Sequence, residues 1–313
     1  MKVLITGSKG QLGRALVSLK PLEAEIYPMD RTNFDMLDIP SCLKKINLIN
    51  PDWIINCGAY TDVGLAEFNE EIAMKVNYFA PAAFAEEIKK LGGKFLQIST
   101  DYVFDGRKNP KYPYSATEKR SPLGIYGLSK AKAEEAIERT FSNNYQGVIL
   151  RTSWLISPVG KNFLLTILNL HLKNKPIKVV NDQIGAPTST LTLAKVIWKI
   201  IRLKEYKLIF NQNENRILHW QDNGETNWYE IALTISDLGK EIGLIKNNSE
   251  IIPITSSQYR SNVKRPFYSV LECSLTKKLL KYDGMNWKIT VKEILEKLQL
   301  YNNQYLIKPG FKI

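Results

Sequence analysis

The feature that most restricts the fold of this chain lies at its start. There the apolar run Val3-Leu4-Ile5-Thr6 meets Gly7-Ser-Lys-Gly10-Gln11-Leu12-Gly13 and passes into the helix-forming Arg14-Ala-Leu-Val17. A strand, a loop with glycine at every third position and a helix, in that order, predict a turn whose backbone lies close to a pyrophosphate. The helix N-terminus offers the same anion free N–H groups and the positive end of a dipole. The spacing Gly-x-x-Gly-x-x-Gly differs from the commoner Gly-x-Gly-x-x-Gly, so its weight comes from its place between strand and helix. Gly7, Gly10, Gln11, Leu12 and Gly13 are therefore expected at a cofactor phosphate.

The first half of the chain continues the alternation. A strand is expected over Glu25 to Met29, ending in Asp30-Arg31 about twenty residues after the glycines. Asp30 suits the ribose hydroxyls of NAD and Arg31 the additional phosphate of NADP, so the pair leaves the coenzyme open. Asp38 and Ile39 are candidates for flanking the adenine. Pro51 to Cys57 reads as a third strand, with Gly58, Ala59 and Tyr60 placed to lie under ribose and phosphates. A helix from Glu70 to Leu91 carries Asn77, and Lys94 to Ile98 form a strand that delivers Ser99 and Thr100. Cys57, Asn77 and Ser99 complete the expected cofactor wall. Strand and helix in strict alternation imply a right-handed, doubly wound parallel sheet of the Rossmann type. Beyond Trp154 the pattern breaks into short strands and helices. The expected division is residues 1–155 and 179–222 in an NAD(P)-binding domain, and 156–178 and 223–313 in a smaller, discontinuous α/β substrate-binding domain.

The chemistry is expected between Ile98 and Lys130. In open parallel sheets ligands collect at the carboxyl ends of the strands, which is where Ser99 and Thr100 fall. Tyr126 and Lys130 stand four residues apart at the start of a helical run and so share one face. An ammonium beside a phenol favours the phenolate and lowers a pKa of about 10. Such a tyrosine exchanges a proton with a carbonyl or alcohol oxygen near neutral pH, while the Thr100 hydroxyl holds the same oxygen. Tyr-x-x-x-Lys on its own is a common surface pairing. Here it follows a strand end and a glycine loop.

Composition excludes several other classes. Two histidines, His171 and His219, leave little material for a metal site or a Ser-His-Asp triad. Cys42, Cys57 and Cys273 are scattered and read as reduced thiols rather than a disulfide framework or a zinc site. The formal net charge of +12 is spread along the chain, which argues for attraction of small anions over nucleic-acid binding. No apolar stretch approaches the roughly 20 residues of a membrane span, and the chain enters a strand at once rather than a signal-peptide pattern. A cytoplasmic location is the resulting expectation.

The motifs together resemble the extended short-chain dehydrogenase/reductases, and within them the dTDP-4-dehydrorhamnose reductases. The residues that carry this are Gly7 to Gly13, Asn56 to Val63, Ser99-Thr-Asp-Tyr-Val-Phe-Asp-Gly106 and Tyr126-Gly-Leu-Ser-Lys130. Arg151-Thr-Ser-Trp154, Lys161-Asn-Phe163, Asp182-Gln-Ile-Gly-Ala-Pro-Thr188, Gly224 to Trp228 and Arg265-Pro266 extend it along nearly the whole chain. The resemblance implies NADPH- or NADH-dependent reduction of the C4 ketone of dTDP-4-dehydro-6-deoxy-L-mannose to dTDP-L-rhamnose, for cell-surface polysaccharide. In that scheme Tyr126 protonates the oxygen, Thr100 polarises it, and Lys130 binds the nicotinamide ribose. Asp101, Tyr102 and Trp154 line the sugar, and Asn162, Gln183, Pro187 and Arg265 belong to the nucleotide-sugar side. Some relatives form homodimers, in some cases with Mg2+ at the interface, and the resemblance is the sole basis for either here.

Asp101 is followed by Tyr102, where the related dehydratases carry Asp-Glu, which argues against elimination. The alternatives are a reductase or epimerase of another nucleotide sugar, or a non-catalytic NADP-binding subunit like the regulatory subunit of methionine adenosyltransferase. One departure stands out. After Asp62-Val63 the family usually continues with Asp, any residue (often Lys) and Ala-Glu, whereas this chain reads Gly64-Leu65-Ala66-Glu67, two charges fewer in a loop near the cofactor.

Overall fold

The computed structural model describes residues 1–107, 112–142, 144–203, 216–246, 249–259 and 263–305. The chain opens with β1 (Lys2–Thr6), α1 (Gln11–Ser18), β2 (Glu25–Pro28), α2 (Ile39–Ile49), β3 (Trp53–Asn56) and the short α3 (Val63–Ala66). Then come α4 (Glu70–Met74), a π-helical turn (Lys75–Phe79), α5 (Ala80–Lys90), β4 (Lys94–Thr100), α6 (Ile125–Thr140) and β5 (Gly147–Thr152). The single helix expected from Glu70 to Leu91 is thus interrupted. The π turn, with Pro81 just beyond it, re-aims the side chain of Asn77.

The second half contains β6 (Leu155–Ile156), α7 (Phe163–His171), β7 (Ile177–Val180), β8 (Ile184–Gly185), β9 (Thr188–Ser189), α8 (Thr190–Ile201) and β10 (Ile217–His219). It closes with β11 (Thr226–Asn227), α9 (Trp228–Glu241), β12 (Ile251–Ile254), α10 (Ser274–Leu280) and α11 (Trp287–Tyr305).

Six strands form one sheet in the order β10-β5-β4-β3-β1-β2, and every pairing is parallel. The chain reverses direction across the sheet between β1 and β3, so these neighbours part at their carboxyl ends. β3 and β5 are buried along their whole lengths, as expected for strands covered on both faces. Each fully buried aliphatic side chain contributes about 1.5–3 kcal/mol. One face packs on α1 and α8 through Leu12, Leu16, Leu193 and Ile197. The other packs on α2, α5 and α6 through Ile46, Phe84, Ile88 and Ile137.

A separate apolar cluster joins Ile156, Ile167, Val179, Ile235 and Ile294. It belongs to α7, β7, α9 and α11, with β12 pairing β7 in parallel. The expected division at 178/179 would fall inside β7, and α10 packs its Leu275, Leu279 and Leu280 on the main sheet's cluster. We propose keeping the division into two units with β7 whole in the smaller one and α10 on the larger; residues 306–313 lie outside the described structure.

At the carboxyl ends the buried strands turn polar. Thr6 Oγ1 donates to Asn56 Oδ1 at 2.5 Å, and Asn56 Nδ2 donates to Gln97 Oε1 at 2.8 Å. This ladder runs across β1, β3 and β4 in register and satisfies groups that would be costly if left unpaired. Just beyond it the backbones crowd. A Cβ at Gly7 would lie 2.8 Å from the Cα of Gly58, and one at Gly13 would lie 2.2 Å from the carbonyl oxygen of Gly7. Because these obstacles are backbone atoms, Gly13→Ala should cost about 1–3 kcal/mol. The expected observation is a lower urea midpoint with an unchanged slope of unfolding free energy.

Candidate active site

Thr100 ends β4 and is 6% exposed. Its hydroxyl accepts from Tyr102 N at 3.2 Å, capping a 3-10 turn over Asp101–Val103, and donates to Asp101 Oδ1 at 3.0 Å. Tyr126 is the second residue of α6, and its ring meets Tyr102 edge-on with centroids 5.6 Å apart. Lys130 follows one turn later, buried, with Nζ donating to the carbonyl of Ile98 at 2.6 Å. The structure therefore brings Thr100, Asp101, Tyr102, Tyr126 and Lys130 to one strand end, as the sequence predicts.

Their electrostatics differ from the prediction. Burial pushes the Tyr126 hydroxyl upward; the Thr100 hydroxyl opposes this as a hydrogen-bond partner, while Asp101 and Tyr102 reinforce it. The Lys130 ammonium, which donates to the Ile98 carbonyl, does not offset this rise. Burial brings Lys130 itself down to about 8, against the pull of Glu134 and Cys57. Burial likewise raises Asp101 to about 6 and Tyr102 to about 12, with Arg265 drawing Tyr102 back.

Beneath the catalytic helix lies a network that sequence reading missed. Glu134, one turn after Lys130 and wholly buried, accepts from Arg151 Nε at 2.9 Å and Nη2 at 2.6 Å. Arg120 Nε adds a third bond at 2.5 Å. Burial alone would raise the Glu134 carboxyl, but Arg151 and Arg120 hold it down at about 2. Arg151 Nη1 also lies 3.2 Å from His219 Nε2. The available signal was the repeat Tyr126, Lys130, Glu134, which extends one helix face by a further turn.

On the cofactor side, Gly7, Gly10, Leu12, Gly13 and Gly58 form the crowded crevice between β1 and β3. The cradle fits a pyrophosphate, since side chains at Gly7, Gly13 or Gly58 would collide with its walls. Met36 was not foreseen; its Sδ would lie 2.6 Å from a Cβ at Gly58. Asp30 sits at the end of β2 and pairs with Lys9 Nζ at 2.8 Å. It also accepts from Thr32 N at 2.8 Å and Thr32 Oγ1 at 2.6 Å, and Lys9 and Thr32 hold its carboxyl well below the usual range. Lys9 was likewise unforeseen, and Arg31 is exposed beside the pair. Asp38 caps α2 by accepting from Ser41 N at 3.2 Å, with Ile39 as the first helical residue. Cys57 is a free thiol pushed upward by burial, with Lys130 drawing it back. Ser99 is buried opposite Arg151 in the sheet register.

Asn77 is engaged by protein. It accepts from Tyr60 N at 2.8 Å and donates to Tyr60 O and to Ser129 Oγ, both at 3.0 Å. It thereby sets the course of the Gly58–Ala59–Tyr60 loop rather than offering a free amide. Gln11 reaches the other way. Its Nε2 donates to Lys161 O at 3.1 Å, and its Oε1 accepts from Asn162 Nδ2 at 3.0 Å. Asn162 Oδ1 in turn caps α7 at Leu165 N. Asn162 thus ties the glycine loop to the smaller unit. A cavity of about 500 Å³ includes Ser8, Lys9, Gln11, Arg14, Asp30 and Ser157 in its lining.

On the substrate side, Trp154 holds a left-handed backbone (φ 44°) and stacks on Trp228 with centroids 3.8 Å apart. Trp228 Nε1 donates to Gln183 Oε1 at 3.2 Å, and Gln183 Nε2 donates to Ser256 Oγ at 2.9 Å. Gly185 leaves room for the Trp154 ring, since a Cβ there would lie 2.5 Å from it. Pro187 is buried between β8 and β9. Gln183 and Arg265 help to line a cavity of about 380 Å³ that also presents Arg107 and Lys264. Among the described residues no group of three or more His, Cys, Asp or Glu side chains could hold a metal ion, and no helix is long and apolar enough to cross a membrane.

A parallel sheet with a glycine crevice at its switch point and a Thr-Tyr-Lys group at the neighbouring strand end defines a dinucleotide-dependent oxidoreductase of the Rossmann type. Residues 1–300 match the model of the family described as RmlD substrate binding domain, and the chain belongs to that family. A dTDP-4-dehydrorhamnose reductase of Aggregatibacter actinomycetemcomitans is 32% identical, covering 94% of this chain and 98% of its own. The Escherichia coli protein of that name is 29% identical over 95% and 98%. Among solved structures, a dTDP-4-dehydrorhamnose reductase from Clostridium acetobutylicum superposes with a TM-score of 0.84 at 34% identity, covering 96% of this chain and 100% of that one. One from Bacillus anthracis in complex with NADP gives 0.82 at 30%, over 96% and 99%.

The buried network makes stability depend on pH. Burial and the neighbouring Arg151 cation hold His219 at about 3, far below its ordinary value of about 6.5. The unfolded chain therefore binds a proton there first. This contribution is full above about pH 6.5 and is lost as pH falls towards 3. Between pH 6.5 and 4, His219→Asn should lose less stability than the parent protein, measured by urea unfolding at each pH. Equal slopes in the two proteins would contradict the assignment.

Proposed function

We propose that this protein reduces the C4 ketone of dTDP-4-dehydro-6-deoxy-L-mannose to dTDP-L-rhamnose with NADPH or NADH, the last step of dTDP-rhamnose synthesis. The observation that carries the reading is the convergence of Thr100, Tyr126 and Lys130 at the end of β4, beside the glycine crevice, in a chain that matches reductases of this name end to end.

When bound, the reduced nicotinamide supplies the hydride. The protein's residues do the rest. Thr100 holds the ketone oxygen through its hydroxyl, and Tyr126 gives that oxygen its proton. A phenol kept protonated by burial is a proton donor across the neutral range, which suits reduction. Lys130, fixed by the Ile98 carbonyl, faces the nicotinamide ribose. Tyr102 and the Trp154–Trp228 stack shape the sugar pocket. Arg107, Lys264 and Arg265 supply positive charge for the diphosphate in the adjoining cavity.

Tyr102 in place of a glutamate favours reduction over elimination. The proposal places the enzyme in the cytoplasm, where reduced nicotinamide and nucleotide sugars are made.

The test is oxidation of NADPH and NADH with enzymatically generated dTDP-4-dehydro-6-deoxy-L-mannose. Tyr126→Phe should lower turnover by at least about a hundredfold, the scale of a general acid. Wild-type protein that binds NADPH but turns over no such ketosugar would sink the rhamnose assignment in favour of another ketosugar or a binding role. Coenzyme choice follows from Lys9. By neutralising Asp30 it lowers the repulsion that a 2′-phosphate would meet there, so Lys9→Met should raise KM for NADPH about threefold to fivefold more than for NADH, the range of an exposed ion pair.

A further inference from the structure

We propose that Glu67 is a positioning residue for Tyr126, holding the first turn of the catalytic helix from the loop that runs along the cofactor crevice; this rests on the reductase reading above. Glu67 Oε1 accepts from Ile125 N at 2.8 Å, across 58 residues of sequence. The N-cap of α6 is Gly124, which supplies no side-chain cap, so a free N–H at this helix end is satisfied by Glu67 instead. The carboxylate also lies at the positive end of a 16-residue helix.

Gly124 is shaped for this partner. Its backbone is extended (φ −154°, ψ 177°), a conformation open to any residue, so conformational freedom does not explain the glycine. Space does. A Cβ at Gly124 would lie 2.4 Å from Glu67 Oε1.

The same loop grips α6 at a second point. Asn77 holds both backbone polar groups of Tyr60 and donates to Ser129 Oγ, which donates to the carbonyl of Tyr126 at 2.8 Å. The turn that carries Tyr126 is thus braced before and after the tyrosine by groups tied to residues 60–67. Between these points Asp62 accepts from Leu65 N at 2.9 Å and caps α3, and Ala66 is buried. Gly64 and Leu65 therefore leave this bracket intact without the charges usual in the family. Because a displacement of about 1 Å can cost about a hundredfold in rate, a brace on this turn acts on the chemical step.

The experiment compares Glu67→Ala, Glu67→Gln and Gly124→Ala, using turnover of the dTDP ketosugar and hydrogen–deuterium exchange of the peptide spanning 123–130. Glu67→Ala should lower kcat about tenfold to a hundredfold, with KM for coenzyme and sugar within about twofold. Glu67→Gln, whose amide oxygen accepts the same bond, should stay within about threefold of the parent in kcat. Gly124→Ala should reproduce the loss from the helix side, and the double variant Glu67→Ala/Gly124→Ala should be no worse than either single. Exchange at the Ile125 amide should accelerate in Glu67→Ala and not in Glu67→Gln. Exchange needs no turnover, so an inactive wild-type protein would sink the functional reading while leaving the brace measurable. Parent-like kcat in Glu67→Ala, equal impairment in Glu67→Gln, or unchanged Ile125 exchange would each overturn the proposal.

Discussion

The buried pairing of Glu134 with Arg151 fixes the active site in place. Both side chains are completely excluded from water, and the guanidinium meets the carboxylate through two nitrogens. Opening such a pair by removing one partner costs about 3–5 kcal/mol, because the other is left charged and unsolvated. The pair joins the middle of α6 to β5, and Arg120 and His219 extend it toward α6's own flank and to β10. Lys130 lies one turn above the carboxylate and Tyr126 one turn above that. A helix held by an ionic bond at its base cannot slide or rotate without breaking it, so the spacing between tyrosine, lysine and strand end is inherited from this contact.

Around this anchor the molecule divides its charge by task. The carboxyl ends of β1, β3 and β4 are neutral and hydrogen-bonded to one another, which keeps the floor of the crevice rigid without placing net charge under it. Cations line two separate cavities, Lys9 and Arg14 with Asp30 beside the glycine loop and Arg107, Lys264 and Arg265 with Asp105 in the other. Positive charge in a cavity attracts anionic molecules.

A wall between the two units depends on strain for its shape. Trp154 occupies a backbone region that bulky residues rarely adopt, and it is kept there by the Trp228 stack and by the absence of a side chain at Gly185. Gln11 and Asn162 connect this wall to the glycine loop. The glycine loop is therefore tied to α7 through side chains about 150 residues apart in the chain.

Local information was enough for much of this. The strand, glycine loop and helix at residues 2–18 follow from apolar patterning and glycine placement, and the Tyr126–Lys130 stripe follows from helical period, so the sheet and the centre of the site were legible from the sequence. What the chain order could not give is what each polar group does once buried. Asn77 is expected at the cofactor, and its amide is engaged by Tyr60 and Ser129; Asn162 is expected on the nucleotide-sugar side, and its side chain caps α7 and bonds Gln11. Lys130 stands at the spacing that would acidify Tyr126, yet burial raises the tyrosine and the Lys130 ammonium donates a hydrogen bond to the Ile98 carbonyl. Asp30 suits ribose hydroxyls by its place in the chain, and only the fold sets Lys9 beside it and brings Ile125 to Glu67. Period and composition determine which residues share a face, because those depend on neighbours in sequence. Protonation, capping and strain were decided only by the tertiary structure, because they depend on solvent exclusion and on partners that folding brings from tens of residues away.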